Sequence, residues 1–215
     1  MSYLDEAVAK PRLRGVAHQF SFFVALGAGG VLVAMASTAG AAVAAAIYAV
    51  TLATMLGVSA SYHRGHWRPA AAVRWRRADH AAIFVFIAGS YTPVCALGVG
   101  GAAGARLLVM VWLGATLGAL RALLWVDAPR WVSAALYVGL GWLAVAYLPT
   151  VAAATGPAVL APILAGGLLY TVGATVYALR WPDPSPRVFG YHEIFHALVV
   201  AAVICHFAAV VQLVR

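Results

Sequence analysis

Apolar runs of about 20 residues recur along the whole chain, long enough to cross a bilayer as helices. They are parted by short clusters of Gly, Pro or charge: Ser37-Thr38-Ala39-Gly40, Arg64 to Arg77, Gly98 to Gly104, Val126 to Arg130, Thr150 to Pro157, and Arg180 to Tyr191. The pattern predicts seven spans at about 16–37, 41–62, 79–99, 105–125, 132–149, 158–179 and 192–214, with ends good to about two to four residues. The expected fold class is therefore all-α: an integral membrane bundle of seven transmembrane helices. A single domain is expected over residues 1–215, with residues 1–15 as a short tail. The spans are rich in Ala and Gly, including Gly114-x3-Gly118, and small residues let helix backbones approach closely in lipid. Tyr91-Thr92-Pro93 predicts a kink in the third span. No internal repeat stands out.

Composition supports this class. The 215 residues are 64% hydrophobic and 9% charged, whereas a soluble domain carries roughly 25% charged residues. The formal charge of +8 would raise nucleic acid as a partner in a soluble protein. Here the basic residues fall in short breaks between spans, where topology accounts for them, and no nucleic-acid partner is expected. With the N-terminus placed in the cytoplasm, the inner side holds Lys10, Arg12, Arg14, Arg64, Arg68, Arg74, Arg76, Arg77, Arg121, Arg130, Arg180 and Arg187. The outer side holds Arg106 and Arg215. That asymmetry predicts N-terminus inside, C-terminus outside, and a multi-pass protein of the cell membrane.

Lys10, Arg12 and Arg14 before an apolar stretch, with Ala34-Met35-Ala36 after it, resemble a signal peptide. The stretch is long for a signal core and contains His18 and Gln19, so a retained first helix is expected. Cys95 and Cys205 each lie inside an apolar run and read as small core residues.

The polar residues carry the chemistry. His192 and His196 are one helical turn apart on one face, so their imidazoles can converge on one ion. His63 ends the second span, Asp79 and His80 start the third, and His192 starts the seventh. On the topology above, these ends meet at one membrane depth. Three imidazoles with an open fourth position suit a catalytic zinc, Zn2+, which acidifies water and polarises a carbonyl. The metal ligands expected are His63, His192 and His196. Two roles fit Asp79: the base beside the metal, or a partner neutralising Arg76 and Arg77. Ser59, one turn before His63, is within reach of the site as a second catalytic candidate. His192-Glu193-Ile194-Phe195-His196 also matches H-E-x-x-H, which would make Glu193 the base. The plainer reading of Glu193 is a side chain facing the headgroups. His18 and His80 read as supporting groups, and His206, about 15 Å beyond His196 at helical rise, as a buried hydrogen-bonded histidine.

Taken in order, Ser59-x3-His63, Arg77-x-Asp79-His80, Ser90-Tyr91-Thr92-Pro93 and His192-x3-His196 resemble the hemolysin III family, within the progestin and adipoQ receptor superfamily. The resemblance runs from about Arg14-Gly15-x2-His18 to His206. It implies seven helices with the N-terminus inside and one zinc near the cytoplasmic face. The ligands implied are His63, His192 and His196, with Asp79 holding a water at the metal. It also implies metal-dependent hydrolysis of a lipid amide, similar to alkaline ceramidases. The asparagine that eukaryotic relatives usually carry before the first histidine is absent from Lys10-Pro11-Arg12-Leu13-Arg14-Gly15-x2-His18.

Three functions follow. The first is a zinc-dependent hydrolase of a lipid-like amide or ester, with a membrane lipid as substrate or ligand. The second is a non-enzymatic regulator or receptor-like protein with structural zinc. The third is a pore-forming hemolysin, which lacks the polar stripe of an aqueous channel. Protein partners are not legible, and homo-oligomerisation is left open by the pattern.

Overall fold

A computed structural model describes residues 10–215. Its helices are α1 (Val16–Ala34), α2 (Ala39–Arg64), α3 (Pro69–Pro93), α4 (Gly101–Leu124), α5 (Arg130–Gly141), α6 (Leu148–Thr155), α7 (Pro157–Leu179) and α8 (Tyr191–Val214). A 3₁₀ segment, Trp142–Tyr147, joins α5 to α6 into one span. Among the described residues this makes seven spans long and apolar enough to cross a membrane, with no named strand.

Local chemistry sets several helix ends. Thr38 caps α2, its hydroxyl accepting from Ala41 N–H at 3.1 Å. Pro69 and Pro157 open α3 and α7, where a missing N–H costs nothing. Two departures from the predicted spans have physical causes. The third span begins at Pro69 rather than near 79, so Arg74, Arg76 and Arg77 ride on its first turns and are not in a loop. The fifth span is broken before Pro149, which cannot donate a helical hydrogen bond. Tyr91 repairs that break: its hydroxyl accepts from Ala144 N–H at 3.0 Å and donates to Gly141 O. Freed backbone groups at membrane depth need such partners.

The predicted kink at Pro93 is a wide π-helical turn over Val94–Val99, closed by Gly100 N–H donating to Cys95 O at 2.9 Å. Gly114 and Gly118 do bring neighbours close, but two different ones. A Cβ at Gly114 would lie 2.7 Å from Leu140, and one at Gly118 would overlap the Phe84 ring.

Each of α1 to α4 packs on its neighbour in sequence, α5 leans on α7, and α8 packs on α7 and closes the ring onto α1. The helix α8 also touches α2 and α3. The outer surface carries Phe20, Phe23, Val24, Leu117, Leu168 and Ile204, all exposed, while His18, Ser59, His63, Asp79, Glu193 and His196 are buried. Apolar outside with polar groups inside is the arrangement lipid demands. Cys95 and Cys205 are both free, the first buried and the second half-buried.

Candidate metal centre

The last turn of α2, the first turns of α3 and α8, and the start of α1 meet at one end of the bundle. Gly15, which caps α1, has φ +78, and a Cβ there would lie 2.6 Å from the Cβ of His63. Glycine at this position therefore meets two needs: a left-handed backbone and a direct fit against His63. The start of α8 is fixed by Glu193, whose Oε2 accepts from Gly190 N–H at 2.8 Å. Glu193 also pairs with Arg14, 179 residues away, clamping α8 to the segment before α1. Asp183 adds a second tie by accepting from Tyr191 N–H at 2.9 Å.

This frame sets His63, His192 and His196 around one point. Their ligand atoms all lie within 4.8 Å of one another, and His63 and His196 are buried, with His192 half-buried. His63 Nε2 and His192 Nε2 face each other at 3.3 Å. His196 Nδ1 is buried with no hydrogen-bond partner. These three form the metal-capable group found among the described residues.

Asp79 is buried, with Oδ2 3.8 Å from His63 Nε2. Arg76, a neutralising partner considered for Asp79, pairs instead with Asp127 at 3.0 Å. Ser59 lies beside the cluster: its oxygen is 2.9 Å from His18 Nδ1, and it lines the same cavity as Asp79. The His18 ring stacks on His196 with centroids 3.8 Å apart and planes 8° from parallel. His18 therefore supports both a donor histidine and the serine beside Asp79.

Glu193, the acid of the H-E-x-x-H string, is tied down by its neighbours. It is buried rather than facing headgroups, and its two oxygens are used by the Gly190 cap and the Arg14 pair. His206 is half-buried and 3.3 Å from Ile163 O through Nε2. The Arg14–Glu193 pair and the Gly15 contact were not legible as tertiary contacts. Only the run Arg14-Gly15-x2-His18 hinted that the segment mattered.

One cavity of about 160 Å³ is lined by His18, Ser59, Asp79, His192 and His196 but not by His63. Asp79, Ser59, His192 and His196 line one end, and Ser90, Leu148 and His206 lie further along it. Its walls are mostly apolar. Trp142, Val145 and Leu164 line it too, and they are exposed on the outer surface. The cavity wall made by the 3₁₀ segment and α7 thus includes exposed apolar side chains.

The fold and site define a class: a multi-pass helical membrane protein with a three-histidine, metal-capable cluster at one end. Residues 7–207 match the Haemolysin-III related family, and the chain belongs to it. Hemolysin-3 of Bacillus cereus is 30% identical over 181 residues, covering 82% of each chain. The Hemolysin-3 homolog of Bacillus subtilis (strain 168) is 32% identical over 122 residues, 57% of this chain and 54% of that one. A shorter stretch of 49 residues is 43% identical to the ADIPOR-like receptor IZH2 of Saccharomyces cerevisiae, 20% of this chain and 16% of that one. This agrees with the wider progestin and adipoQ receptor superfamily.

Proposed function

We propose that the protein is a zinc-dependent hydrolase of a lipid-like amide or ester. The observation that carries this reading is a three-histidine donor set with a buried carboxylate, Asp79, at the end of an apolar cavity. The chemistry of three imidazoles suits zinc, and one pair already has its spacing. Tetrahedral ligands at about 2.0–2.1 Å lie about 3.3–3.4 Å apart, and His63 Nε2 and His192 Nε2 are 3.3 Å apart. His63, His192 and His196 would hold the ion, which when bound would polarise a carbonyl and make water a better nucleophile.

The chain's own groups supply the rest. Asp79 takes the proton of the attacking water and passes it to the leaving nitrogen or oxygen. Ser59, held by His18, shares the cavity with Asp79 and orients its carboxylate. The apolar cavity takes the acyl chain and keeps its carbonyl end beside Asp79. The site sits on the cytoplasmic side of the cell membrane, with the N-terminus inside, by the twelve-to-two split of basic residues.

The test is release of fatty acid from ceramide-like and ester lipids by purified protein, with and without chelator. Chelator-sensitive release, abolished in His63→Ala, is expected. A second reading, a non-enzymatic regulator with structural zinc, is favoured by the short match to a protein named as a receptor. It becomes the account if wild type and Asp79→Asn share one chelator-insensitive background across the lipid panel.

A further inference from the structure

A second polar cluster lies outside the metal centre, between α3, α4 and α5. Phe84 packs on Gly118 and on Tyr137, whose ring centroid is 4.6 Å away. One and two turns before Phe84 on α3 come His80 and Arg77, and about one turn after Gly118 on antiparallel α4 comes Arg121. Tyr137 donates to His80 O at 3.2 Å, and Ser133, one turn earlier on α5, accepts from Arg121 Nη1 at 3.1 Å. Arg77, His80, Arg121 and Ser133 therefore share one level.

Four nitrogens of this cluster are buried with no partner: Arg77 Nε, His80 Nδ1, and Arg121 Nε and Nη2. Among the described residues neither arginine belongs to an ion pair, and the carboxylate of Asp127 is 70% exposed and taken by Arg76. Arg121 also lies over the Trp125 ring, 5.5 Å from its centroid, which leaves these guanidinium nitrogens still without a hydrogen-bond acceptor, and a buried N–H so left is costly. The planar donors of a guanidinium match the oxygens of a phosphate. The cluster also has a lipid face. Trp125 and Trp131 are exposed at this end, as expected of an aromatic belt at headgroup level, and Leu117, Leu120 and Leu124 are exposed along α4.

We propose that Arg77 and Arg121 bind the phosphate of an anionic phospholipid, with its acyl chains lying along α4. Two cations without an acid favour an anionic headgroup over a zwitterionic one. The site does not depend on the hydrolase reading.

The test uses full-length protein in nanodiscs of phosphatidylcholine, with or without phosphatidylglycerol. Native mass spectrometry reads retained lipid, and the melting midpoint reads stabilisation. Wild type should retain phosphatidylglycerol in preference to phosphatidylcholine and melt higher with it. Each arginine removed should weaken retention about five-fold, and the pair Arg77→Gln with Arg121→Gln about thirty-fold. Arg106→Gln, remote from the cluster, should retain the lipid. If the double variant fails to fold, Arg77→Gln alone carries the comparison, since Arg77 is only half-buried. Equal retention in Arg77→Gln and wild type would overturn the proposal, as would equal retention of the two lipids. Stabilisation by inorganic phosphate but not by phosphatidylglycerol would also overturn it, in favour of a soluble anion.

Discussion

Compared with the wall that α2, α3 and α8 give the cavity, the wall formed by α5 and α7 is loosely built. Leu52, Met55, Leu56, Phe86, Val199 and Val203 of the first wall belong to one buried cluster. In the second and third spans 44% of the apolar window is buried, against 11% in the span from Arg130 to Thr155. The second wall also carries the 3₁₀ segment and the Pro149 break, mended by the Tyr91 side chain. Every donor histidine and Asp79 sits on the dense wall. Metal ligands must be held within a few tenths of an ångström, so rigid neighbours suit them. In the proposed reaction a lipid enters and leaves, and an irregular wall with exposed outer residues suits that task.

Mutations on the two walls should therefore fail differently. On the dense wall, Leu56→Ala should cost about 3 kcal/mol by leaving a void behind the donor turn, read as a lower melting midpoint. Asp79→Asn keeps shape but removes the proposed base. It should hold its metal while turnover falls about 10²-fold, read by lipid hydrolysis beside elemental analysis. Glu193→Gln should lose about 2 kcal/mol of stability with the Arg14 pair, yet keep turnover close to wild type. A collapse of turnover with metal and fold intact would restore Glu193 as the base. On the open wall, a Cβ at Gly167 meets nothing within 4 Å, so Gly167→Leu should fold normally. Its added bulk should slow long-chain substrates about ten-fold while sparing short ones. Equal loss for all chain lengths would mean the acyl chain lies elsewhere.

Much of this arrangement was legible because membrane spans and helical spacing leave clear marks. Six span starts fell within about four residues, and the pairing of His192 with His196 followed from one helical turn. The third start was missed because Arg74, Arg76 and Arg77 look like a loop in a hydropathy reading, though interfacial helix ends tolerate such charge. The fifth span looked uniform because its repair comes from Tyr91, on another helix. The headgroup-facing reading of Glu193 failed because its partner, Arg14, lies 179 residues away. Spacing reveals which side chains share a helix face; it does not reveal which distant cation neutralises a buried acid.

Orientation has its own check. Cysteine probes near Gly101 and Gly156 should label from outside, and probes near Trp67 and Ser185 only after permeabilisation. The reverse pattern would place the histidine cluster on the external face.

The most direct test of the central claim is metal content measured on purified protein by elemental analysis, with the ligand shell read by X-ray absorption. The account predicts about one zinc per chain, bound through nitrogen at about 2.0–2.1 Å, and loss of most of it in both His63→Ala and His196→Ala. Metal-free wild type, or full zinc retention in both variants, would contradict it.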